Sequence, residues 1–403
     1  MAGMTMGTVE GDAALPVSCV DLGRETPEMR HALVVVLATV ACPGLARDVS
    51  FQNFDGFLSI GTDAQRTASI ALVDVDRDGD LDALVANGRH WAEQNWLYLN
   101  DGRSGFKSAL PVGRRMDASY AIAAADFDGD GRVDIVVAND KVPNGLFHAT
   151  ADGGYEAGST FGTATSASRS IESADIDGDG DADLVIANRR AANEVLLNDG
   201  TGRFEGARGV GRPEDETIQI RVVDVDGDGR LDLVCAERST PGSVRFGDGK
   251  GGFDRVVEFG EADDETRAVD VADIDRDGVL DLVEGNLKGA NWIYFGDGKG
   301  GFPRSVQLPG RYTTAALRAG DLDRDGWVDI VLGNAEQPNV VLRGGPDERF
   351  TAIPLGADRA DDTYGIALGD LDGDGFVDIV EANSDALNLV HLTRVSEPAR
   401  ATR

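Results

Sequence analysis

A nine-residue acidic sequence, D-x-D-x-D-G-x-x-D, recurs seven times in this 403-residue chain, its copies starting 48 to 52 residues apart at Asp74, Asp126, Asp175, Asp224, Asp273, Asp321 and Asp370. A steady period of that length, with several short apolar runs in each interval, demands a repeat architecture in which each unit buries its apolar face against its neighbours. Every copy keeps its carboxylates at positions 1, 3, 5 and 9. In chain order the first three sets are Asp74, Asp76, Asp78 and Asp82; Asp126, Asp128, Asp130 and Asp134; and Asp175, Asp177, Asp179 and Asp183. The remaining four are Asp224, Asp226, Asp228 and Asp232; Asp273, Asp275, Asp277 and Asp281; Asp321, Asp323, Asp325 and Asp329; and Asp370, Asp372, Asp374 and Asp378. Position 6 is glycine throughout, where the chain must turn sharply and a positive φ is expected.

Alternate residues of a tight loop can turn their side chains toward one point, and a hard cation such as Ca²⁺ takes about six to eight oxygens. Position 7 would add a backbone carbonyl, leaving its side chain free to vary, as it does through Asp80, Arg132, Asp181, Arg230, Val279, Trp327 and Phe376. An EF-hand would place a Glu at position 12 and a helix on each side. Here the loop closes on an Asp and runs into residues such as Ile135-Val136-Val137, so both flanks read as strands. Acidic Gly-rich segments can also be plain solvated turns, but seven copies with complete carboxylate sets favour a ligand set. Two like charges 4 Å apart repel by about 4 kcal/mol at an effective dielectric of 20, so four carboxylates in one loop disfavour folding without a cation. Up to seven Ca²⁺ are therefore expected in a structural role. Each contributes about 1.4 kcal/mol if free calcium stands about tenfold above its Kd. Extracellular calcium of about 1 mM meets that condition for sites with a Kd of about 0.1 mM, and cytosolic calcium does not.

Each period parses into four strands. The first ends at the acidic loop, as in Tyr120 to Ala125; the second follows it, as in Ile135 to Ala138; the third is typified by Asn95 to Leu99 and Asn291 to Phe295 and ends in a turn such as Asn198-Asp199-Gly200. An aromatic opens the fourth. Phe54, Phe106, Tyr155, Phe204, Phe253 and Phe350 each stand 20 residues before the next loop, and Phe302 stands 19 before. The first of these precedes every loop, while the last unit stops after Leu389-Val390-His391-Leu392 without a fourth strand. The expectation is an all-β fold, a seven-bladed β-propeller of four-stranded blades, its ring closed by the amino-terminal strand at Phe54 to Gly61 pairing with the last three strands.

These motifs resemble the FG-GAP or VCBS repeat family, calcium-loop propeller repeats found in integrin α chains and many secreted bacterial proteins. The match covers residues 50–393, with D-x-D-x-D-G-x-x-D-aliphatic as its most specific part. The resemblance implies loops between first and second strands on one rim and ligands at the opposite face. It implies no single activity, because the family shares a scaffold.

The formal charge is −33, and seven divalent cations would reduce it to −19. A chain that acidic, with no basic run, is not suited to nucleic acid or an anionic membrane. Residues 1–46 read as a presequence. Met29-Arg30-His31, the apolar run Ala32 to Ala41 and the small-residue site Gly44-Leu45-Ala46 resemble a secretory signal, with Met29 as the expected start. Its apolar core is too short to span a bilayer. Thr39-Val40-Ala41-Cys42 also loosely matches a lipoprotein box, which would make Cys42 a lipid-bearing terminus. The propeller is expected over 47–393, followed by a carboxy-terminal tail at 394–403. Cys235 is then the one cysteine of the mature body, in a buried strand pattern.

On the face opposite the loops, a hydroxyl residue stands seven positions before each first Asp (Thr67, Ser119, Ser168, Thr217, Thr266, Thr314, Thr363), which reads as a structural hydrogen bond. Three positions before it the repeat breaks down into Glu172, Arg221, Asp270 and Arg318, which should lie side by side as an ion-pair network or a polar funnel. His90 and Trp91 offer a single glycan platform there. No G-x-S-x-G, H-E-x-x-H or phosphate loop is present. The expected function is a secreted, periplasmic or surface-exposed, non-enzymatic binding or adhesion module for an extracellular protein or glycan. The alternative is a calcium-dependent polysaccharide lyase, with Arg311 or Tyr312 as candidate bases.

Overall fold

The computed structural model describes residues 47–54, 58–106, 108–356 and 359–396. The presequence, signal and Cys42 readings fall at 1–46, outside the described residues. Among the described residues no helix is long and apolar enough to cross a membrane.

Repeats two to six each form one four-stranded antiparallel sheet in chain order. The second, for example, runs through Ser119–Ala125, Asp134–Asn139, Asn144–Ala149 and Tyr155–Phe161. The second strand of each repeat is buried on both faces. Its alternate side chains serve opposite neighbours: Ile135 and Val137 join a cluster shared with the first repeat, whereas Val136 and Ala138 join one shared with the third. That period of two, buried on both sides, explains why these segments read as continuous apolar runs. Among the described residues six such clusters form, each from two consecutive repeats, and a seventh packs Ala367, Val380 and Val390 of the last repeat on Ile70, Val85 and Tyr98 of the first. Cys235 lies in one of them, fully buried, its thiol pushed up to about 12 by that burial. Among the described residues no sheet closes on itself, and neighbouring repeats meet through side-chain packing and a few backbone hydrogen bonds, such as Arg89 N to Ser119 O at 3.0 Å.

The first and last repeats are joined by two long strands, Ser59–Val73 and Asp378–Ser396. Ser59 and Ile60 pair with Leu389 and Asn388, after which the same strand continues into the first repeat and pairs Thr67 with Asn87. The strand expected at Phe54 to Gly61 thus pairs with the carboxy-terminal segment only from Ser59 onward. Phe54 itself sits in a turn at φ 51° and is 58% exposed. An additional strand, Asp48–Gln52, pairs with Leu392 to Ser396, so the last strand extends three residues into the stretch read as tail.

The hydroxyl residues do form structural hydrogen bonds. Ser119 Oγ donates to Asn139 Oδ1 at 2.8 Å and accepts from Asn95 Nδ2 of the preceding repeat at 2.8 Å. Thr314 and Thr363 likewise link Asn291 to Asn334 and Asn339 to Asn383. The asparagines also cap their own turns, as Asn144 Oδ1 does by accepting from Asn139 N at 2.8 Å. Ser119→Ala would leave a buried amide N–H and a buried carbonyl oxygen without partners, at a cost of about 1–3 kcal/mol. Urea unfolding of this variant should show that loss with an unchanged m-value.

Candidate functional site: acidic loops and an arginine-lined cavity

The seven acidic loops fold alike because their aspartates hold the backbone. Position 1 accepts the amide of the position-6 glycine in every repeat, at 2.8 to 3.1 Å. Those glycines all have positive φ, between 85° and 98°, as expected. Position 5 accepts the amide of position 7, at 2.8 to 3.0 Å. The position-9 aspartate starts the second strand and is buried. One of its oxygens accepts the amide of loop position 2 and the other an amide at or just beyond the end of the third strand, as Asp183 does from Ile176 at 2.8 Å and Asn198 at 2.7 Å. A second left-handed position escaped the sequence reading. Position 4 is Gly129, Gly178, Gly227 or Gly373 in four loops and Arg77, Arg276 or Arg324 in three, with φ from 56° to 79°.

Aspartates that hold the backbone with one oxygen turn another inward. Ligand atoms from Asp74, Asp76 and Asp78, from Asp126, Asp128 and Asp130, from Asp175, Asp177 and Asp183, and from Asp224, Asp226 and Asp232 lie within 4.8 Å of one another. Among the described residues five carboxylate oxygens are buried with no hydrogen-bond partner: Asp74 Oδ1, Asp126 Oδ1, Asp177 Oδ1, Asp226 Oδ1 and Asp275 Oδ1. Burial pushes Asp82, Asp183 and Asp281 up to about 6, and Asp329 and Asp378 up to about 7, with the neighbouring loop carboxylates adding to the shift. Orphaned oxygens converging in a hard, all-oxygen donor set are what a divalent cation would satisfy, so the residues fit one.

The loops differ in the basic side chains that reach them. His148 Nδ1 lies 3.1 Å from Asp128, Arg255 Nη1 2.9 Å from Asp226, and Arg304 Nη2 3.0 Å from Asp275. Arg343 Nε reaches Asp323 at 2.9 Å, and Arg394 Nη1 reaches Asp374 at 2.6 Å while Nη2 contacts Asp372.

At the other end of the first strands, side chains from all seven repeats line one cavity of about 560 Å³. Each first strand carries a bulge one residue after its hydroxyl: the pairing steps from Ser168↔Asn188 to Ser170↔Ala187 and leaves Arg169 as the extra residue. The same step recurs in the other six repeats, at Ala68, Tyr120, Ile218, Arg267, Ala315 and Tyr364. A bulge re-aims its extra side chain, and all seven of these residues face the cavity. Farther along the strands, Arg221 pairs with Glu172 at 2.6 Å and Asp270 at 3.0 Å, the ion-pair network expected from the sequence. These carboxylates also accept Val222 N and Ala319 N, amides of the following repeats' edge strands. Arg318 does not join by a salt bridge and donates to Leu317 O instead, at 3.2 Å.

His90 is held between Asp140 at 3.0 Å and the Tyr120 hydroxyl at 2.8 Å. Trp91 is 62% exposed, with Arg66 over its ring at 5.3 Å. Tyr312 packs against a core cluster, away from the cavity wall.

The FG-GAP-like repeat model matches the chain six times, over residues 74–137, 126–186, 175–235, 224–284, 280–332 and 321–381. The chain belongs to this FG-GAP-like repeat family. No curated protein matches it in sequence. Among solved structures, the BP39L lectin from Burkholderia pseudomallei is similar at 12% identity and a TM-score of 0.63, over 83% of this chain and 99% of the lectin. BBS1N, solved in complex with ARL6DN, is similar at 12% identity and a TM-score of 0.57, over 85% of this chain and 95% of BBS1N. At such identities the likeness concerns the fold, an all-β propeller type built of repeated four-stranded antiparallel sheets.

The FG-GAP loops support two predictions. Gly180 has φ 97° and open space where a Cβ would stand, so Gly180→Ala strains the backbone alone. It should lose about 1 kcal/mol or more in chemical denaturation. The position-9 carboxyls set the pH dependence of protein treated with a chelator. In the folded state Asp82, Asp183 and Asp281 keep a proton up to about 6 and Asp329 and Asp378 up to about 7, against an ordinary value of 3.8, and burial raises Asp134 and Asp232 as well. Over that window the folded form binds more protons than the unfolded chain, so stability is greatest in acid and is lost as pH rises through the folded values. Chelated protein should therefore melt higher at pH 5 than at pH 7.5.

Proposed function

We propose that the seven sheets form a closed ring, a seven-bladed β-propeller over residues 47–396 that acts as a non-enzymatic binding or adhesion module for an extracellular protein or glycan. Its acidic loops hold up to seven Ca²⁺, with position 7 lending a backbone carbonyl. The signal within 1–46 directs it to the periplasm, the cell surface or the medium, and Cys42 is a candidate lipid anchor. The packing of the last repeat on the first, and the pairing of Asp48–Gln52 and Ser59 with the carboxy-terminal strand, support the ring.

The observation that carries the functional reading is the division of each first strand between two ends. One end runs into a repeated acidic loop that is the same in every repeat, which suits a structural role. The other presents non-repeating side chains from the bulges, alanine, tyrosine, arginine and isoleucine, to a single cavity, which suits recognition. The lectin and BBS1N similarities agree with a scaffold of this kind used for binding, whether of a glycan or of a protein.

Calcium removal tests the reading directly. Adding a chelator at pH 7.5 should lower the melting temperature by more than ten degrees, and metal analysis of protein purified in calcium should approach seven equivalents. The Arg343- and Arg394-capped loops should empty first, because a guanidinium already occupies the carboxylates a cation would need. A glycan array and a pull-down of surface proteins, each with and without calcium, identify the partner. A lyase would instead release unsaturated uronate product, read by its ultraviolet absorbance. Tyr120 on His90 is the pair at the cavity positioned to move a proton for that reaction.

A further inference from the structure

Among the described residues seven arginines face one cavity, in a chain whose net charge is −33, and Glu172 is the one carboxylate in the cavity wall. We propose that this cavity binds a compact oligoanion, a saccharide-sized molecule bearing several carboxylate or sulfate groups, gripped by Arg89, Arg169, Arg189, Arg238 and Arg267. This rests on the binding-module reading above and names its ligand class.

Three observations carry it. The first is unused donor capacity: the Nε atoms of Arg89, Arg189 and Arg267 are buried and have no acceptor within hydrogen-bond distance, Arg189 Nε standing 3.8 Å from Glu216. A buried guanidinium N–H without a partner is costly, and a planar oxyanion can satisfy it in bidentate fashion. The second is incomplete neutralisation. Glu216 is shared by Arg189 at 3.8 Å and Arg190 at 2.5 Å. Glu265 is shared by Arg238 at 2.6 Å, Arg267 at 3.4 Å and Lys288 at 2.9 Å. Asp140 answers Arg169 at 2.9 Å. Each shared carboxylate leaves its arginines with surplus charge, and burial together with the neighbouring arginines shifts Arg189 and Arg267 below the ordinary guanidinium value. Arginine stays charged at neutral pH regardless, so the repulsion is relieved by an anion and not by deprotonation.

The third observation is preorganisation. The bulges point Arg169 and Arg267 inward from rigid strands. Arg169 lies over the Tyr120 ring at 3.9 Å and Arg89 over the Tyr364 ring at 3.5 Å, and both tyrosines are themselves bulge residues. Stacking fixes the guanidinium planes before a ligand arrives, which reduces the entropy lost on binding. A volume of about 560 Å³ suits a short oligosaccharide better than a lone inorganic ion.

The test is calorimetric titration of the calcium-loaded protein, with free calcium buffered, using trigalacturonate, a sulfated disaccharide, neutral maltotriose and inorganic sulfate. Trigalacturonate binding with sulfated sugar weak identifies a carboxylate ligand, the reverse identifies a sulfate ester, and either result supports the proposal. Arg189→Gln combined with Arg267→Gln should weaken the bound oligoanion at least tenfold, whereas Arg349→Gln, an exposed residue outside the cavity wall that pairs with Asp347, should not. If the double variant fails to fold, Ile218→Glu places a negative charge at the bulge between Arg169 and Arg267 and should weaken binding to the same extent. Binding no tighter than inorganic sulfate, equal binding of maltotriose, or indifference to the arginine and Ile218 changes would overturn the proposal. The chelator-induced fall in melting temperature, followed in the same samples, tells such a failure from a failure of the calcium-propeller reading.

Discussion

The position-9 aspartate is the interaction on which the rest of each repeat depends. Its two oxygens take amides from two different segments, loop position 2 and the end of the third strand, as Asp329 does from Leu322 at 3.1 Å and Gly344 at 2.8 Å. One carboxylate therefore sets where the second strand starts, how the loop closes over it and how far the third strand runs. Asparagine could accept only one of those amides through its carbonyl, and glutamate would overreach by a methylene. With positions 1 and 5 also tied to loop amides, the loop has its shape from the chain's own hydrogen bonds. A cation in the proposed role adds charge compensation to a preformed cradle, so its effect falls on stability and not on the course of the backbone.

Much of this was legible because it depends on residue types that have few substitutes. Carboxylates at fixed spacing, glycine where φ is positive, and double-faced apolar strands are all visible in a single repeat and confirmed by the next. The second left-handed site at position 4 was missed because arginine fills it in three loops, where contacts compensate the backbone: Arg276 reaches over Trp327 at 4.8 Å and its guanidinium approaches Gly326. The bulge was missed for a different reason. It is a property of the register between two strands, and its residue changes from alanine to arginine to tyrosine without periodic trace. Its only signal is that it follows an invariant hydroxyl whose hydrogen bond to the second strand pins the pairing on one side.

The terminal pairing shows a similar limit. Phase placed an aromatic at Phe54, yet there it has no preceding strand of its own repeat to pack on, and the turn exposes it. What pairs instead is Asp48–Gln52, whose register with Leu392 to Ser396 depends on an edge that exists only once the last sheet has formed. Inner edges are handled differently. There the first strands cannot pair with one another, and Glu172, Asp270 and Gln219 reach across to accept amides of the following repeats at Val222, Ala319 and Val269. Polar residues along the cavity thus satisfy strand edges that would otherwise remain open.

The two ends of the molecule are opposite in sign, and that separation has consequences at a distance. An acidic surface of net charge −33 repels an approaching anion even though the cavity attracts it once inside. Screening acts first on the long-range term, because charges beyond a Debye length of about 8 Å in physiological salt are largely hidden, whereas contacts inside a cavity are screened least. In the proposed calcium-loaded state the repulsion falls as well, since seven divalent ions bring the net charge to −19. Metal at one end of the first strands and an anion at the other are then linked without any change of shape, through the field that both modify. The coupling would show as faster anion association on calcium loading, strongest at low salt and fading as salt rises, whereas a coupling that worked by moving strands would persist at high salt.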